Sequence, residues 1–251
     1  MTETPDISHI IPAHNEERYL PRTLASVRRA VEAFDGRVEV IVVDNASTDA
    51  TADLARAHGA RVVFESHRCI AAARNAGAAA ARGRILTFAD ADSMLSENFF
   101  IIAAERMADE ACVGGNFGVR TDRTSLGIRV SVWLVLALLR WFWRVGGGSY
   151  FCRRAAFEAI GGFDVSRSYA EDVAFARALR RYGKARRQRY VQDARAHVIT
   201  SMRKADQLGD WHAIRFMLKV PLMLLWPSRM HRRIMQYFYE FDRSKPSRGF
   251  E

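Results

Sequence analysis

The sequence has few cysteines and no apolar run long enough to cross a membrane. Cys69, Cys112 and Cys152 are an odd number in unrelated surroundings and form no CxxC pair. They argue against a disulfide framework or a zinc site and predict reduced thiols in a cytoplasmic protein. The N-terminus lacks the basic-then-apolar order of a signal peptide. The longest apolar run, residues 130–139, is about half the roughly 18–20 residues of a membrane span.

Acidic residues are scarce relative to basic ones. The 251 residues carry 28 Asp and Glu against 38 Lys and Arg, which gives a net charge of +10 and a pI near 10.1. This balance favours polyanionic partners, namely nucleic acid, phosphate-bearing ligands or an anionic membrane face. The excess lies mainly in the C-terminal half, in residues 180–190 and 227–233. With 49% hydrophobic residues, the chain suits one large domain or one domain with an elaborated tail.

The first hundred residues alternate strand and helix patterns. Residues 7–12, 38–44, 61–65 and 84–88 predict strands, and residues 21–34, 48–58 and 71–81 predict helices. This alternation predicts an α/β protein with a mostly parallel sheet flanked by helices. Three strand ends carry PAHNEE, DNASTD and DADS. Ligands of such sheets bind outside the carboxyl ends of the strands, so we expect the site there. A dinucleotide-dependent oxidoreductase is excluded because no G-x-G-x-x-G follows the first strand.

The chain after residue 96 shows a different pattern. A helix over 97–109 precedes a glycine-bearing strand, CVGGNFGV, and an apolar tryptophan-rich segment over 126–145. GGGSYFCRR then predicts a loop entering a strand, and AAFEAIGGFD predicts a short helix closed by a Gly-Gly turn. The following helix carries Glu171 and Asp172 in its first turn, where negative charge suits the helix dipole.

Six acidic or basic side chains are candidates for chemistry, and each has a plainer interpretation. Asp90 and Asp92 suit a hard divalent cation shared with phosphates, or they lie in a solvated loop. Asp44 accepts from a nucleobase imide or ribose hydroxyl, or it belongs to a capping loop. Arg74 meets a phosphate or a neighbouring aspartate, or it forms a surface ion pair. Asp172, with Glu171 beside it, is a candidate base near a helix N-terminus, or it only stabilises the helix.

Five stretches in register resemble the family 2 glycosyltransferases of the GT-A fold. They are IIPAHNEERYLPRTLASV, VIVVDNASTDAT, ARNAGAAAARGRILTFADAD, GGGSYFCRRAAFEAIGGFD and AEDVAFARALRRYGK, and the match extends over about residues 7–184. The resemblance implies a metal-dependent enzyme that moves a sugar from a UDP or GDP sugar to a hydroxyl of a lipid-linked or glycan acceptor. A single displacement with inversion at the anomeric carbon is expected.

The resemblance also implies roles for individual residues. Asp172 is the expected catalytic base, with Glu171 beside it, and Gly147 and Gly148 are expected at the acceptor. The cofactor is Mn²⁺ or Mg²⁺, held by Asp92, Asp90 and His197. The residues expected at the nucleotide sugar are Pro12, Ala13, Asn15, Glu16, Asp44, Arg74, Asp90, Ala91 and Asp92.

The expected organisation is a GT-A catalytic domain over residues 1–200 and a basic, apolar helical extension over 201–251. The catalytic domain divides into a nucleotide-binding half over 1–95 and an acceptor half over 96–200. No Q-x-x-R-W motif is present in the arrangement of processive synthases, which disfavours polymer synthesis.

Two apolar segments rich in tryptophan and arginine, residues 126–145 and 211–233, have the composition of helices that lie in a membrane interface. The alternatives are packing on the domain or pairing of subunits. We therefore expect a cytoplasmic protein and leave open a peripheral location on the inner face of the cytoplasmic membrane. The alternative function is a basic α/β module that binds nucleic acid or anionic membrane without catalysis. For the enzyme, nucleic acid is not an expected partner.

Overall fold

A computed structural model describes residues 4–138, 148–167, 170–211 and 214. The chain forms two compact units. The first comprises residues 1–120 and 145–200, and the second comprises residues 121–144 and 201–251. The expected extension over 201–251 stays a prediction, because most of it lies outside the described residues.

An eight-stranded sheet forms the centre of the first unit. In sheet order the strands are β3-β2-β1-β4-β7-β6-β8-β5. β1 is parallel to β2 and β4, and β2 is parallel to β3. β7 is antiparallel to both β4 and β6, and β5 is antiparallel to β8. The bounds are β1 Ile7–Ala13, β2 Val38–Asp44, β3 Arg61–Phe64, β4 Ile85–Ala89, β5 Ser93–Leu95, β6 Cys112–Thr121, β7 Ser149–Arg153 and β8 Arg189–Thr200.

The predicted α/β class is confirmed, and the structure adds an antiparallel half to the sheet. The four parallel strands are the ones expected from the first hundred residues. β5 and β8 are new. Both escaped prediction because β5 has only three residues and β8 mixes charged side chains into its length.

Helices cover the sheet and build the second unit. The predicted helices are all present, with ends displaced by up to three residues where the flanking chain forms turns instead. The described part of the apolar segment is helical to residue 138, and residues 139–147 lie outside the described chain. The bounds are α1 Leu20–Glu32, α2 Thr51–Ala57, α3 Ile70–Ala80, α4 Phe99–Ala108, α5 Leu126–Leu138, α6 Arg154–Ala159, α7 Glu171–Ala185 and α8 Arg203–Leu208.

The alanine-rich composition of α3 has a packing reason. Gly77 faces β1 and β2, and a Cβ added there would lie 2.4 Å from Ile10 Cγ2 and 2.9 Å from Val43 Cγ2. Small side chains therefore let α3 approach the sheet closely. This approach brings the middle of α3, including Arg74, under the carboxyl ends of the parallel strands.

The second unit includes α5 and α8, and polar contacts join the chain at the start of α5 to α8 and the residues just after it. Arg123 donates from Nε to Asp206 Oδ1 at 2.7 Å and from Nη2 to Asp210 Oδ1 at 2.8 Å. The Ser131 hydroxyl donates to the carbonyl of Asp210 at 3.3 Å. Across residues 4–138, 148–167 and 170–211, no helix combines the length and apolar character needed to cross a membrane.

Candidate active site

Hydrogen bonds join the loop after β1 to the loop after β2. Asn15 has a positive φ of 52°, a conformation that asparagine tolerates better than most residues. Its backbone N–H donates to Ser47 Oγ at 3.1 Å, and its side-chain oxygen accepts from the N–H of Thr48 at 2.8 Å. The N–H of Glu16 donates to Thr51 Oγ1 at 2.8 Å. Two predicted residues of the first loop, Asn15 and Glu16, therefore lie against the chain that leads from β2 into α2.

Asp44 ends β2 directly beside Ala13, the last residue of β1. The Asp44 carboxylate accepts the N–H of Ser47 at 2.9 Å, and only 8% of the residue is exposed. Pro12, Ala13 and Glu16 are also buried, and only 3% of Glu16 is exposed. The structure thus places Pro12 and Ala13 at the end of β1 beside the end of β2, where Asp44 lies.

Asn45 ties three strand ends together, a role that the sequence pattern did not reveal. Its N–H donates to the carbonyl of Ala13 at 2.8 Å. Its side-chain amide donates to the carbonyls of Glu65 at 2.9 Å and His67 at 2.7 Å, just after β3. His14 adds a contact between its Nδ1 and the carbonyl of Asn45 at 2.9 Å. The sequence pattern did not distinguish Asn45 from the other short polar residues of this capping loop, so its contacts with neighbouring strands could not be predicted.

Asp90 and Asp92 lie in a tight turn between β4 and β5. The N–H of Ser93 donates to the carbonyl of Asp90 at 3.1 Å, so the two acids lie in a turn and not in extended chain. Ala91 is 3% exposed, and its carbonyl accepts the hydroxyl of Thr23 from α1 at 2.8 Å. β1 lies between β2 and β4, so the strands that end near Asp44 and Asp90 are about 10 Å apart, which is two strand spacings.

Arg74 is the positive partner of Asp90. Its Nη2 donates to Asp90 Oδ1 at 2.9 Å, and its Nη1 donates to Glu171 Oε1 at 3.1 Å. Burial acts to lower the pKa of Arg74, but the charges of Asp90 and Glu171 outweigh it and hold that pKa above its ordinary value. The interpretation of Arg74 as an exposed surface ion pair is wrong, because the residue is 5% exposed.

The two acids at the start of α7 have different surroundings. Glu171 is 9% exposed, and burial raises its pKa against the opposing charge of Arg74. Asp172 accepts the hydroxyl of Tyr150 on Oδ2 at 3.3 Å and the N–H of Val173 on Oδ1 at 2.7 Å. Burial, with the charge of Asp172, raises the pKa of Tyr150 well above its ordinary value. Tyr150 therefore stays a neutral donor beside Asp172 at neutral pH.

His197 is not brought to the two aspartates. On β8 it lies opposite Ser96, whose N–H donates to its carbonyl at 3.0 Å. Ser93, which follows Asp92 directly, pairs with Thr200, three residues beyond His197 on β8. Burial, with the charge of Arg120, lowers the pKa of His197, and its buried Nδ1 has no hydrogen-bond partner within the described chain. Nor do any three His, Cys, Asp or Glu side chains of the described residues form a group able to hold a metal ion.

Gly148 precedes β7 with a positive φ of 94°. A Cβ at this position would lie 2.6 Å from Val119 Cγ2, so both the backbone conformation and the space require glycine. Gly147, predicted beside it at the acceptor, lies outside the described residues. The role of both glycines stays a prediction.

Comparisons with known proteins give the family. The sequence profile described as glycosyl transferase family 2 matches residues 8–161. The probable glycosyltransferase YdaM of Bacillus subtilis is 27% identical over 69% of this chain and 46% of its own. The chain spans less than half the length of the curated relatives it matches.

Two solved structures share the fold. Glucosyl-3-phosphoglycerate synthase from Mycobacterium tuberculosis, in complex with Mn²⁺, UDP and glucosyl-3-phosphoglycerate, is 23% identical, with 86% of this chain and 79% of that chain covered and a TM-score of 0.62. The mannosyltransferase PcManGT from Pyrobaculum calidifontis, in complex with GDP-Man and Mn²⁺, is 23% identical, with 79% and 57% covered and a TM-score of 0.61. The resemblance found in the motifs is confirmed: the chain belongs to glycosyltransferase family 2 and has the GT-A fold.

Proposed function

We propose that this protein transfers a sugar from a nucleoside diphosphate sugar, with UDP or GDP as the nucleotide, to a hydroxyl group of a lipid-linked or glycan acceptor. One observation carries the proposal. Buried Arg74 links the aspartate at the end of β4 to the acidic start of α7, so a candidate diphosphate site and a candidate base are adjacent. Family membership and the nucleotides bound by the two similar structures support it.

The residues at the end of β4 fit a divalent cation, Mn²⁺ or Mg²⁺. Hard cations of this type take oxygen ligands and bind through one or two carboxylates together with substrate phosphates. Asp90 has one oxygen committed to Arg74 and keeps 39% of its side chain exposed, and Asp92 follows in the same turn. Asp92 would hold the cation, with Asp90 beside it. When bound, the cation offsets the negative charge that develops on the leaving diphosphate.

The remaining residues bind the donor. Asp44, buried between the loops after β1 and β2, would accept from the nucleobase or ribose. Asn15 and its partners in residues 45–51 would hold the backbone of that pocket in place. The proposed order along the sheet edge is therefore base at β2 and diphosphate at β4.

Asp172 would take the proton from the acceptor hydroxyl. The hydroxyl oxygen forms a bond to the anomeric carbon, the bond from that carbon to the diphosphate oxygen breaks, and the nucleoside diphosphate leaves with the electron pair. This single displacement inverts the anomeric configuration. The hydroxyl of Tyr150 orients the carboxylate of Asp172, and Gly148 would lie beside the acceptor.

The test combines nucleotide binding with turnover. UDP or GDP is expected to raise the melting temperature only when Mn²⁺ is present, and Asp92→Asn is expected to remove that shift. Asp172→Asn should keep the shift and lose about 10²–10⁴-fold in transfer rate, the usual contribution of a general base. Asp53→Asn is the matched control, because Asp53 forms an exposed ion pair with Arg56 on α2. The anomeric configuration of the product, read by NMR, tests inversion.

Two results would contradict the proposal. One is a melting temperature that no nucleoside diphosphate changes in the presence of Mn²⁺. The other is transfer that survives Asp172→Asn at the wild-type rate. Affinity for nucleic acid that falls steeply with salt and does not respond to Mn²⁺ would favour the non-catalytic basic module instead.

We also propose that the second unit contacts an anionic lipid surface, which gives the protein a peripheral membrane location. Leu126 and Trp133 lie two turns apart on α5 and are 71% and 69% exposed, with exposed Arg129 between them. Tryptophan and arginine beside aliphatic side chains are typical of helices at a membrane interface, and the net charge of +10 favours anionic lipid.

Sedimentation with vesicles tests this second proposal. Binding is expected to vesicles that contain phosphatidylglycerol and not to pure phosphatidylcholine, and Trp133→Ser is expected to weaken it severalfold. Phe64→Ser is the control, since Phe64 is 66% exposed but lies on β3 in the other unit. Equal binding by wild type and Trp133→Ser would refute a lipid contact at α5.

A further inference from the structure

Arg74 contacts two carboxylates at once, and its buried Nε has no hydrogen-bond partner within the described chain. Both of its terminal nitrogens donate to carboxylates, one to Asp90 and the other to Glu171. The Phe163 ring lies against the guanidinium, with its centroid 5.1 Å from Cζ. The whole residue is 5% exposed. A guanidinium fixed in this way serves as a planar connector between two acids.

The next residue of α3 holds the chain that leads to α7. The Asn75 side chain donates to the carbonyl of Phe163 at 2.8 Å and accepts the N–H of Phe163 at 2.9 Å. This pair of hydrogen bonds mimics a strand pairing. Gly162 approaches so closely that a Cβ there would lie 2.6 Å from Asn75 Oδ1, and its φ is 71°. The Gly-Gly turn thus lets the backbone reach Asn75.

Phe163 joins the two contacts of α3. Its backbone is held by Asn75, and its ring covers Arg74 and stacks on Phe175 of α7 at a centroid distance of 4.2 Å. Two adjacent residues of α3 therefore contact the first part of α7. Arg74 does so through its ion pair with Glu171, and Asn75 does so through Phe163, whose ring packs on α7. Glu171 and Asp172 are consecutive at the start of α7, so contacts that fix this turn also set the backbone position of Asp172.

We propose that Arg74 and Asn75 are positioning residues that hold the acidic start of α7 at a fixed distance from Asp90. The inference rests on the proposed function, because it is the proton acceptor Asp172 that is positioned relative to the donor diphosphate. It differs from the direct nucleotide contact that the family resemblance implies for Arg74. Misplacement of a reacting group by about 1 Å can cost about 10²-fold in rate, so such a connector has a measurable effect.

The test separates positioning from donor binding. Arg74→Lys keeps one positive charge but not two parallel contacts, and it is expected to lower kcat by about 10²-fold. The donor KM and the melting shift given by UDP or GDP with Mn²⁺ are expected to stay within about twofold of wild type. Hydrogen exchange of the amides over residues 171–176 should become faster, and this readout needs no substrate. Arg56→Lys is the matched control, since Arg56 forms a solvent-exposed ion pair with Asp53.

A second variant guards against a failure of Arg74→Lys to fold. Asn75→Asp keeps the acceptor for the N–H of Phe163 but sets a carboxylate oxygen against the carbonyl of Phe163. The same loss of kcat and the same faster exchange over residues 171–176 are expected.

Each contrary outcome has a distinct meaning. Unchanged kcat and unchanged exchange in both variants would overturn the proposal. A lost nucleotide shift with retained exchange protection would make Arg74 a donor ligand and overturn it too. If the wild-type protein neither binds nor turns over any nucleotide sugar, the proposed function fails, while the exchange measurement still decides whether Arg74 and Asn75 hold α7.

Discussion

His9 makes the stability of the first unit sensitive to acid. The residue lies on β1 with no exposed surface, between the rings of Phe99 and Phe100 at centroid distances of 5.7 and 5.4 Å. Its Nδ1 is 2.9 Å from the hydroxyl of Thr87 on β4. Burial lowers the pKa of His9 from 6.5 to about 3, because a charged imidazole at this place would lose its hydration.

The lowered pKa gives a definite pH window. In the unfolded chain the imidazole takes up a proton near pH 6.5, whereas in the folded protein it does so only near pH 3. Stability from neutral His9 is therefore fully present above pH 6.5 and is lost as the pH falls towards 3. At about 1.4 kcal/mol for each pKa unit, the loss is about 2 kcal/mol at pH 5 and above 4 kcal/mol near pH 3.

Urea unfolding of wild type and His9→Gln at pH 8 and pH 5 measures this effect. Glutamine has no charge to gain, so the free-energy difference between the two proteins is expected to move by about 2 kcal/mol in favour of the variant at pH 5. The packing cost of the substitution and the titration of other groups cancel in that comparison. His58→Gln, at an exposed position after α2, is the control. A difference that is the same at both pH values would refute the reasoning.

The remaining predictions concern the chain around β7. Tyr150→Phe removes the hydroxyl that donates to Asp172, and we expect a loss of about 1 kcal/mol in unfolding free energy and a lower kcat at unchanged donor KM; a changed donor KM with unchanged kcat would contradict this. Gly148→Ala should destabilise the protein by about 1–3 kcal/mol through strain and crowding against Val119. Val119→Ala in the same chain should recover part of that loss in thermal unfolding, and no recovery would show that crowding is not the cause.

The parallel half of the sheet was predictable because its strands are covered on both faces. β2, for example, is nearly continuously apolar and β-branched, and its predicted bounds match the structure at both ends. β8 gave no such signal, because it carries charged residues such as Arg189, Asp193 and Arg195. Its pairing with β5 joins segments about a hundred residues apart, and no local period records a pairing of that range.

The site shows the same division. Asp44, Asp90 and Asp92 could be named as candidates because strand ends of a parallel sheet share one edge. The partner of Arg74 on α7 is 97 residues away, so a sequence pattern shows that the residue is basic but not what it meets. Tyr150 gave no signal either, because an aromatic residue in a strand is ordinary core material.

A buried ion pair at Arg74 is a costly way to join α3, β4 and α7. Apolar side chains of similar volume would often be at least as stabilising, whereas removing one partner of a buried pair costs about 3–5 kcal/mol. The ion pair fixes the relative direction and separation of two carboxylates, because the guanidinium that bridges them is planar. Apolar contacts do not define such a geometry. Burial raises the pKa of Glu171, the charge of Arg74 opposes that effect, and Asp172 follows Glu171 directly. The ion pair is less stabilising than apolar packing would be, but it defines the geometry between the two halves of the proposed site. The rate of a transfer reaction depends on the distance between those two halves.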